Sequence, residues 1–380
     1  MSELLRKIRF TALFALPLLF LLFPFIHWMF RPSCDLELVL LDKTVPDQAC
    51  QKHRGFVWIL NNLKYQKRGS FFDPAEDYFG FHPIKGKRYD IKEMPADLGT
   101  PDLIYLADTY GVYTDDLQPE NRGERSLLIY GGLQREEVEA LKNSLKGGST
   151  LIAEFNTLGS PTGSEAKNAL EEVLGVKWSG WIGRYFNTLS SSNREIPPWL
   201  ISNYEAQYHT RWAFTEPGFA FVNQDNTVLI LRKGPEVGSN LNFITFTERA
   251  RQEFPVENYT RYHYWFEIVE TAPTADTLAY FNLDATDAGD KMLKDHGLRR
   301  VFPAVVRHRA AGCTSYYFAG DFADYSGNLP LWRASFVQPV FAALSGDLDG
   351  DQTAFFWKVY YPLVEKIVEQ SLLRVHEKTT

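Results

Sequence analysis

Asp42 and Lys43, Asp108 and Tyr110, Glu154 and Asn156, Asp284 and Asp321 each close an apolar run of strand character or follow just after one. In an open α/β sheet the carboxyl ends of the strands form the edge where ligands bind, so these side chains are expected to share one edge. Two uses suit them. Carboxylates converging in an aromatic-lined cleft could form the acid/base pair of glycoside cleavage, ~5 Å apart for retention and ~6.5 to 9.5 Å apart for inversion. Asp and Asn at strand ends equally serve as turn residues and helix caps. The residues alone leave both readings open. Glu154 stands out, because a carboxylate on an otherwise apolar strand must find a partner or serve a purpose, and Arg184, Lys43 or backbone donors are the partners expected to hold it. The catalytic candidates are therefore Glu154, Asp284 and Asp321. The ligand-binding candidates are Asp42, Lys43, Asp108, Tyr110, Glu154, Asn156, Trp181, Arg184 and Tyr185. Trp181 and Tyr185, with Trp178, Trp199, Tyr208 and Trp212, lie in turn-rich stretches where a core role is less expected, and the face of a sugar stacks well on such rings.

Other site chemistries find little support. Asp347, Asp349 and Asp351 suggest a calcium loop, but Gln352 stands where that loop needs Gly and Lys358 where it needs the bidentate Glu. The eight histidines are scattered with no H-x-x-x-H pair. Asn258-Tyr259-Thr260 matches a glycosylation acceptor, a triplet that arises often by chance. No phosphate-cradling Gly loop occurs. The sequence calls for no cofactor and no metal.

The elements that must position these residues read as alternating strands and helices. Ser126 to Tyr130 is a short apolar run closed by Gly131 and Gly132. A helix follows, with Val138, Leu141 and Leu145 on one face, Glu136 and Glu137 in its first turn, and Lys142 and Lys146 in its last, each sign suiting the helix dipole. Gly147 and Gly148 end it, and Thr150 to Phe155 completes an expected βαβ unit. Leu36 to Leu41 and Leu103 to Ala107 read as further strands, and Arg54 to Leu63 and Ser164 to Leu174 as helices. From about residue 177 to 275 aromatic and turn residues dominate, and alternating runs point to antiparallel strands inserted into the sheet domain. Thr277 to Asn282 returns to the parallel-strand pattern. Val301 to Arg307 and Ser315 to Ala319 read as a closing hairpin, and Phe355 to Leu373 as an amphipathic helix. The fold class expected is α/β: a flavodoxin-like, mostly parallel sheet with helices on both faces over residues 36–330, the β-rich insertion within it, and a helical tail over 331–380 packed on it.

Residues 1–35 form a separate unit. Ile8 to Phe30 is interrupted only by Arg9, Thr11 and His27 and is long enough to cross ~30 Å of hydrocarbon. Arg6 and Lys7 precede the run and Arg9 lies at its start, while Arg31, Asp35 and Glu37 follow it, so the positive-inside rule places the N-terminus in the cytoplasm and the rest outside. A cleaved signal peptide is the competing reading, but the run is long for one and no small-x-small site follows it. Acylation at Cys34 is disfavoured by Arg31, which stands where a lipoprotein signal wants an aliphatic residue. The three cysteines, Cys34, Cys50 and Cys313, are too few for a disulfide framework and read as buried free thiols. The net charge of -7 and the lack of a basic run beyond the first ten residues argue against nucleic acid.

The order strand, Gly131-Gly132, Leu-x-x-Glu-Glu-x-x-x-Leu helix, Lys-Gly-Gly-x-x-Leu-Ile strand, and much later Tyr316-Tyr317-Phe318-Ala319-Gly320-Asp321, resembles the class I glutamine amidotransferase-like superfamily. The likeness is nearest to its trehalose-utilisation-type and β-galactosidase-trimerisation-type members and covers roughly Leu36 to Asp324. The resemblance implies a Cys nucleophile on the sharp turn after a central strand, paired with a His near the C-terminus. Here the strand ends Glu154-Phe155-Asn156 and Cys313 lies in a hairpin turn, so no catalytic residue carries over and the acyl-enzyme route is closed. The expectation is a single-pass membrane protein whose outer domain lacks the nucleophile and recognises a cell-envelope or exported polysaccharide, with envelope proteins as further partners. The alternative is a hydrolase acting on such a glycan through Glu154 and a second carboxylate.

Overall fold

The computed structural model describes residues 18–85, 88–118, 125–310, 312–325, 327, 329–346 and 348–379. Helix α1 covers residues 18–30, and the chain then alternates strands and helices: β1 (Leu38–Asp42), α2 (Gln51–Asn62), β2 (Phe79–Ile84), β3 (Arg88–Lys92), β4 (Leu103–Asp108), α3 (Arg135–Gly147), β5 (Thr150–Ala153) and α4 (Ser164–Leu174). β4 and β5 are buried at every position, which follows from their unbroken apolar runs, since a strand covered on both faces has no polar side to show. α3 starts with a capping box, in which the Gln134 N–H donates to Glu137 Oε2 at 2.8 Å, and ends at Gly148 in the left-handed conformation.

The second half is richer in strands. It holds β6 (Val176–Phe186), α5 (Pro198–Tyr208), β7 (Gly218–Asn223), β8 (Val228–Arg232), β9 (Val237–Phe246), α6 (Glu248–Glu253), β10 (Thr260–Arg261), β11 (Phe266–Thr271), β12 (Ala275–Ala285), α7 (Asp287–Asp295), β13 (Val301–Ala310) and β14 (Cys313–Phe318). The large sheet has ten strands in the order β10-β9-β12-β13-β14-β5-β4-β1-β2-β3. Its centre, β14-β5-β4-β1-β2, is parallel, and antiparallel pairs extend it on both sides. A second sheet, β8-β7-β6-β11, is antiparallel throughout and touches the first where Phe266 bridges to Gly320.

Two expectations about strand pairing are corrected. Leu128–Tyr130 pairs antiparallel with Val112–Tyr113 outside the large sheet, so residues 126–162 do not form a βαβ unit. Both edges of β5 are already taken, by β4 and β14, and Leu127 and Leu128 face solvent. Thr277 to Asn282 lies in β12, which is antiparallel to both β9 and β13, because an apolar run records burial and not direction. The thiols also differ from expectation: Cys50 is buried and Cys313 half-buried, but Cys34 is exposed, and none of the three is in a disulfide.

The tail consists of α8 (Val337–Leu344), the single turn α9 (Thr353–Phe355), a π-helical turn Phe356–Tyr360 and α10 (Tyr361–Thr379). From Phe355 to Val368 it is buried around most of its circumference, broader than an amphipathic stripe. It packs on α2, where Trp357 meets Trp58 edge-on and Asn62 Nδ2 donates to Tyr361 Oη at 3.0 Å. Among the described residues no helix is long and apolar enough to cross a membrane, and residues 1–17, which carry the first half of the expected span, lie outside them.

Candidate functional site

β1, β4 and β5 end side by side, and β14 ends next to β5, so Asp42, Asp108, Glu154 and, three residues past β14, Asp321 come to one edge. α2 begins at this edge and contributes Lys52 in its first turn. The Lys52 ammonium donates to Asp321 and, at 2.9 Å, to Asp324 Oδ2, and lies 4.0 Å from Asp108 Oδ2. Gln51 Nε2 donates to Asp324 Oδ1 at 2.6 Å. Tyr264 presents its ring 5.8 Å from Lys52 Nζ. Asp108 also accepts from Thr44 Oγ1 (2.7 Å), the Tyr110 N–H (2.7 Å) and Asn156 Nδ2 (3.2 Å). Asn156 reaches this position with a φ of 66°, a left-handed conformation that Asn tolerates better than most residues, and its N–H donates to Glu267 Oε1 at 3.1 Å.

One ammonium among three carboxylates cannot neutralise them all. Asp321, buried and facing Asp324 and Asp108, is held well above the ordinary carboxylate range despite Lys52. Burial likewise pushes Asp108 up to about 6, with Lys52 opposing. Lys52 stays charged: burial disfavours its ammonium, but Asp321 and Asp324 outweigh burial.

Glu154 is enclosed. Oε1 accepts from Tyr105 Oη at 2.8 Å, and Oε2 accepts from the N–H groups of Phe322 and Ala323 at 3.0 and 3.1 Å. Gly55 on α2 makes this possible, since a Cβ there would stand 2.7 Å from the Ala323 carbonyl oxygen. Burial raises Glu154 to about 7 against these three donors. Arg184 is not its partner. That guanidinium pairs with Glu195 at 2.9 Å and lies over the rings of Phe186, Tyr264 and Trp265. It borders the Lys52 cluster through Tyr264, while β6 carries it in the other sheet.

The remaining candidates scatter. Asp42 is buried and accepts from His53 Nδ1 at 2.6 Å. His53 Nε2 donates to the Pro74 carbonyl oxygen at 2.7 Å, so both ring nitrogens carry hydrogen, and although burial opposes it, Asp42 holds the imidazolium pKa up at about 10. Lys43 points away from the cluster, to the Gly132 carbonyl oxygen (2.8 Å) and Glu137 Oε2 (2.7 Å). Tyr110 is exposed at the edge, its ring against Tyr113. Asp284 sits on β12, separated from β14 by β13, and accepts from the Asn240 N–H at 3.0 Å. Trp181, Tyr185 and Trp212 are core residues of the second sheet and its cover, so the aromatic surface expected of them does not exist.

Lys52, Asp324, Tyr264 and Glu267 were not among the candidates. Glu267 shares the feature that marks Glu154, being a carboxylate on an apolar strand; it is fully buried, accepts from Tyr317 Oη, and burial pushes it to about 7. Lys52 was hidden by the start of α2, where the left-handed Cys50 replaces a recognisable cap. Among the described residues no group of three acidic, His or Cys side chains is arranged to hold a metal ion.

No family model matches this chain, and no curated protein matches its sequence. Solved structures similar to it include a ThuA-like protein from Parabacteroides merdae, at 10% identity and a TM-score of 0.36 over 75% of this chain and 79% of that one. They also include a β-galactosidase from Bacillus circulans sp. alkalophilus, at 11% identity and a TM-score of 0.32 over 76% of this chain and 30% of the enzyme. A cold-adapted β-galactosidase from Rahnella sp. R3 is similar at 12% identity and a TM-score of 0.32, over 73% of this chain and 25% of the enzyme. The chain thus spans less than a third of either galactosidase, and at these scores the likeness is limited to parts of the backbone course.

Proposed function

We propose that this protein is a membrane-anchored, extracytoplasmic binding protein whose carboxyl-edge cluster recognises a polysaccharide of the cell envelope or an exported one, without cleaving it. The observation that carries the reading is the Lys52–Asp321–Asp324–Asp108 cluster beneath Tyr264. It offers a fixed ammonium, an amide at Asn156, hydroxyls at Thr44 and Tyr264, and a ring face at the exposed Tyr110, while the Tyr264 ring is held between the core, Lys52 and Arg184. Hydroxyl-rich ligands suit such a surface, which can both donate and accept while a ring face covers the C–H side of a sugar. The non-catalytic part rests on Glu154, which is sealed and saturated with donors, and on the absence of a thiol after β5. The anchor rests on the apolar run Ile8 to Phe30, whose second half is the exposed apolar helix α1. α2 carries Lys52 at one end and, at the other, the Asn62 carbonyl oxygen that accepts from Trp28 Nε1 at 2.7 Å, so the cluster lies at the opposite end of that helix from the anchor.

The test is binding of the full chain in detergent to a panel of neutral and acidic polysaccharides, with Tyr264→Ala and Tyr110→Ala alongside. Binding by the wild type, weakened in both variants at unchanged melting temperature, supports the reading. Failure to bind any member, or equal binding by the variants, overturns it.

A further inference from the structure

We infer that residues 331–344 form a second membrane-contacting element, an apolar ledge lying in the outer lipid interface beside α1; this rests on the anchored reading above. The ledge is uncovered. Leu331, Trp332, Phe336, Val340 and Leu344 are all exposed, Leu344 at 77%, and α8 contains no charged residue. Adjoining exposed apolar side chains on this scale mark a contact surface.

The occupant follows from what the ledge is fastened to. The Ser335 N–H donates to the Pro24 carbonyl oxygen at 3.1 Å, and Ser335 Oγ meets His27 Nδ1 at 2.8 Å. Phe336 stacks on Phe23 with centroids 6.2 Å apart, and Trp332 meets Phe25 at 5.2 Å. The start of the ledge, Trp332 to Phe336, is thus docked on α1 at Phe23 to His27, and α8 continues from it. A cationic collar stands further along the chain. Lys64 Nζ donates to the Met29 and Arg31 carbonyl oxygens at 2.9 and 2.7 Å and lies over the Trp28 ring, while Arg333 lies over Phe71, which stacks on Trp28. Arg31, Lys64 and Arg333 suit anionic headgroups, and Trp28 suits the aromatic belt at that level. Pro24 precedes Arg31 by seven residues, a rise of ~10 Å along a helix. Body residues packed on Phe23 and Pro24 therefore sit ~10 Å deeper than Arg31, the depth at which interfacial apolar helices lie. A bilayer that accepts α1 must meet the ledge.

The experiment uses the full chain in nanodiscs of phosphatidylcholine and phosphatidylglycerol, with Cys34→Ser and Cys313→Ser and one nitroxide label at Leu344→Cys, Phe20→Cys or Val301→Cys. Val301 is exposed and begins β13, whose pairing with β14 puts it at the cluster edge. Relaxation is compared between oxygen, which concentrates in lipid, and a water-soluble nickel chelate. The expected result is an oxygen-to-nickel accessibility ratio at Leu344 several-fold above that at Val301 and close to that at Phe20. A Leu344 label as open to nickel as Val301, with Phe20 still lipid-facing, overturns the ledge alone. A Leu344 label shielded from both reagents assigns the face to a protein partner and also overturns it. A nickel-accessible Phe20 overturns the anchored reading itself.

Discussion

Replacing Glu154 by Gln separates the effect of burial from that of its partners. The carboxyl is surrounded by three neutral donors, Tyr105 Oη and the N–H groups of Phe322 and Ala323. Burial moves its pKa from 4.5 to about 7. Between those values the folded chain binds more protons than the unfolded one, so stability falls as the pH rises through the window. Integrated from pH 5 to pH 8, this one group removes roughly 2 to 3 kcal/mol. Gln fits the same site. Its amide oxygen can take both backbone donors, and its NH2 can donate to Tyr105 Oη, which then turns its own hydrogen towards Tyr360 Oη 3.1 Å away. With all bonds kept, Glu154→Gln should cost under ~1 kcal/mol at pH 5 and be more stable than wild type by roughly 2 kcal/mol at pH 8. Glu267 and Asp108 are shifted in the same direction in both proteins, so the difference between their pH slopes isolates Glu154. Urea unfolding of the full chain in detergent at both pH values reads it. Equal pH slopes for the two proteins, or a loss above ~3 kcal/mol at both pH values, the cost expected when a buried charged partner is broken, would refute the reasoning.

Three further outcomes follow from other groups. His53, with its pKa near 10, should show two protonated ring nitrogens at pH 8 by nitrogen NMR; its stabilising contribution is fully present below pH 6.5 and is lost as the pH rises through about 10, and an Nδ1 that loses its proton near 6.5 would contradict the pairing with Asp42. Lys52→Met leaves three buried carboxylates without their cation and should cost ~3 to 5 kcal/mol at neutral pH, partly recovered on acidification as a carboxyl takes up a proton; wild-type stability at neutral pH would sink the cluster. Cys34 should react with maleimide ahead of Cys50, though more slowly than a free thiol because burial and then Asp102 and Asp35 raise its pKa, and equal rates at the two sites would contradict the burial assignment.

Periodicity and punctuation made the helices of the first half legible, while the strands Phe79–Ile84 and Arg88–Lys92 lie largely in a stretch, Tyr65 to Tyr89, that reads as an aromatic and polar loop. α4 ends at the left-handed Gly175, and α3 is bounded by a capping box and a left-handed Gly148, all features of local sequence. Direction was not legible, because Leu128–Tyr130 and Thr277 to Asn282 are apolar runs whose partners are fixed by which strand edges remain free. At the site, Asp108 and Asp321 lie near the same Lys52 ammonium, since topology alone aligns the ends of parallel strands. Of the partners expected for Glu154, backbone donors are the ones present, but which N–H groups they are could not be read, because they lie 168 and 169 residues away and have no residue type to recognise. With Arg184 as partner, removing the charge would weaken the fold; with neutral donors, burial dominates and the sign at high pH reverses. Three rings of the aromatic stretch misled because the second sheet is covered on both faces: Trp181 and Tyr185 join the core shared with the large sheet, and Trp212 joins the smaller cluster that holds Leu200 of α5.

The central claim is recognition of a polysaccharide at the Lys52 cluster without cleavage, and one incubation tests it most directly. Full-length protein is mixed with each polysaccharide of the panel, and bound ligand and new reducing ends are measured in the same sample for wild type and Tyr264→Ala. The account predicts saturable binding by the wild type, weaker binding by Tyr264→Ala, and no new reducing ends from either. Reducing ends that accumulate with wild-type protein, or binding that is indifferent to Tyr264, would contradict it.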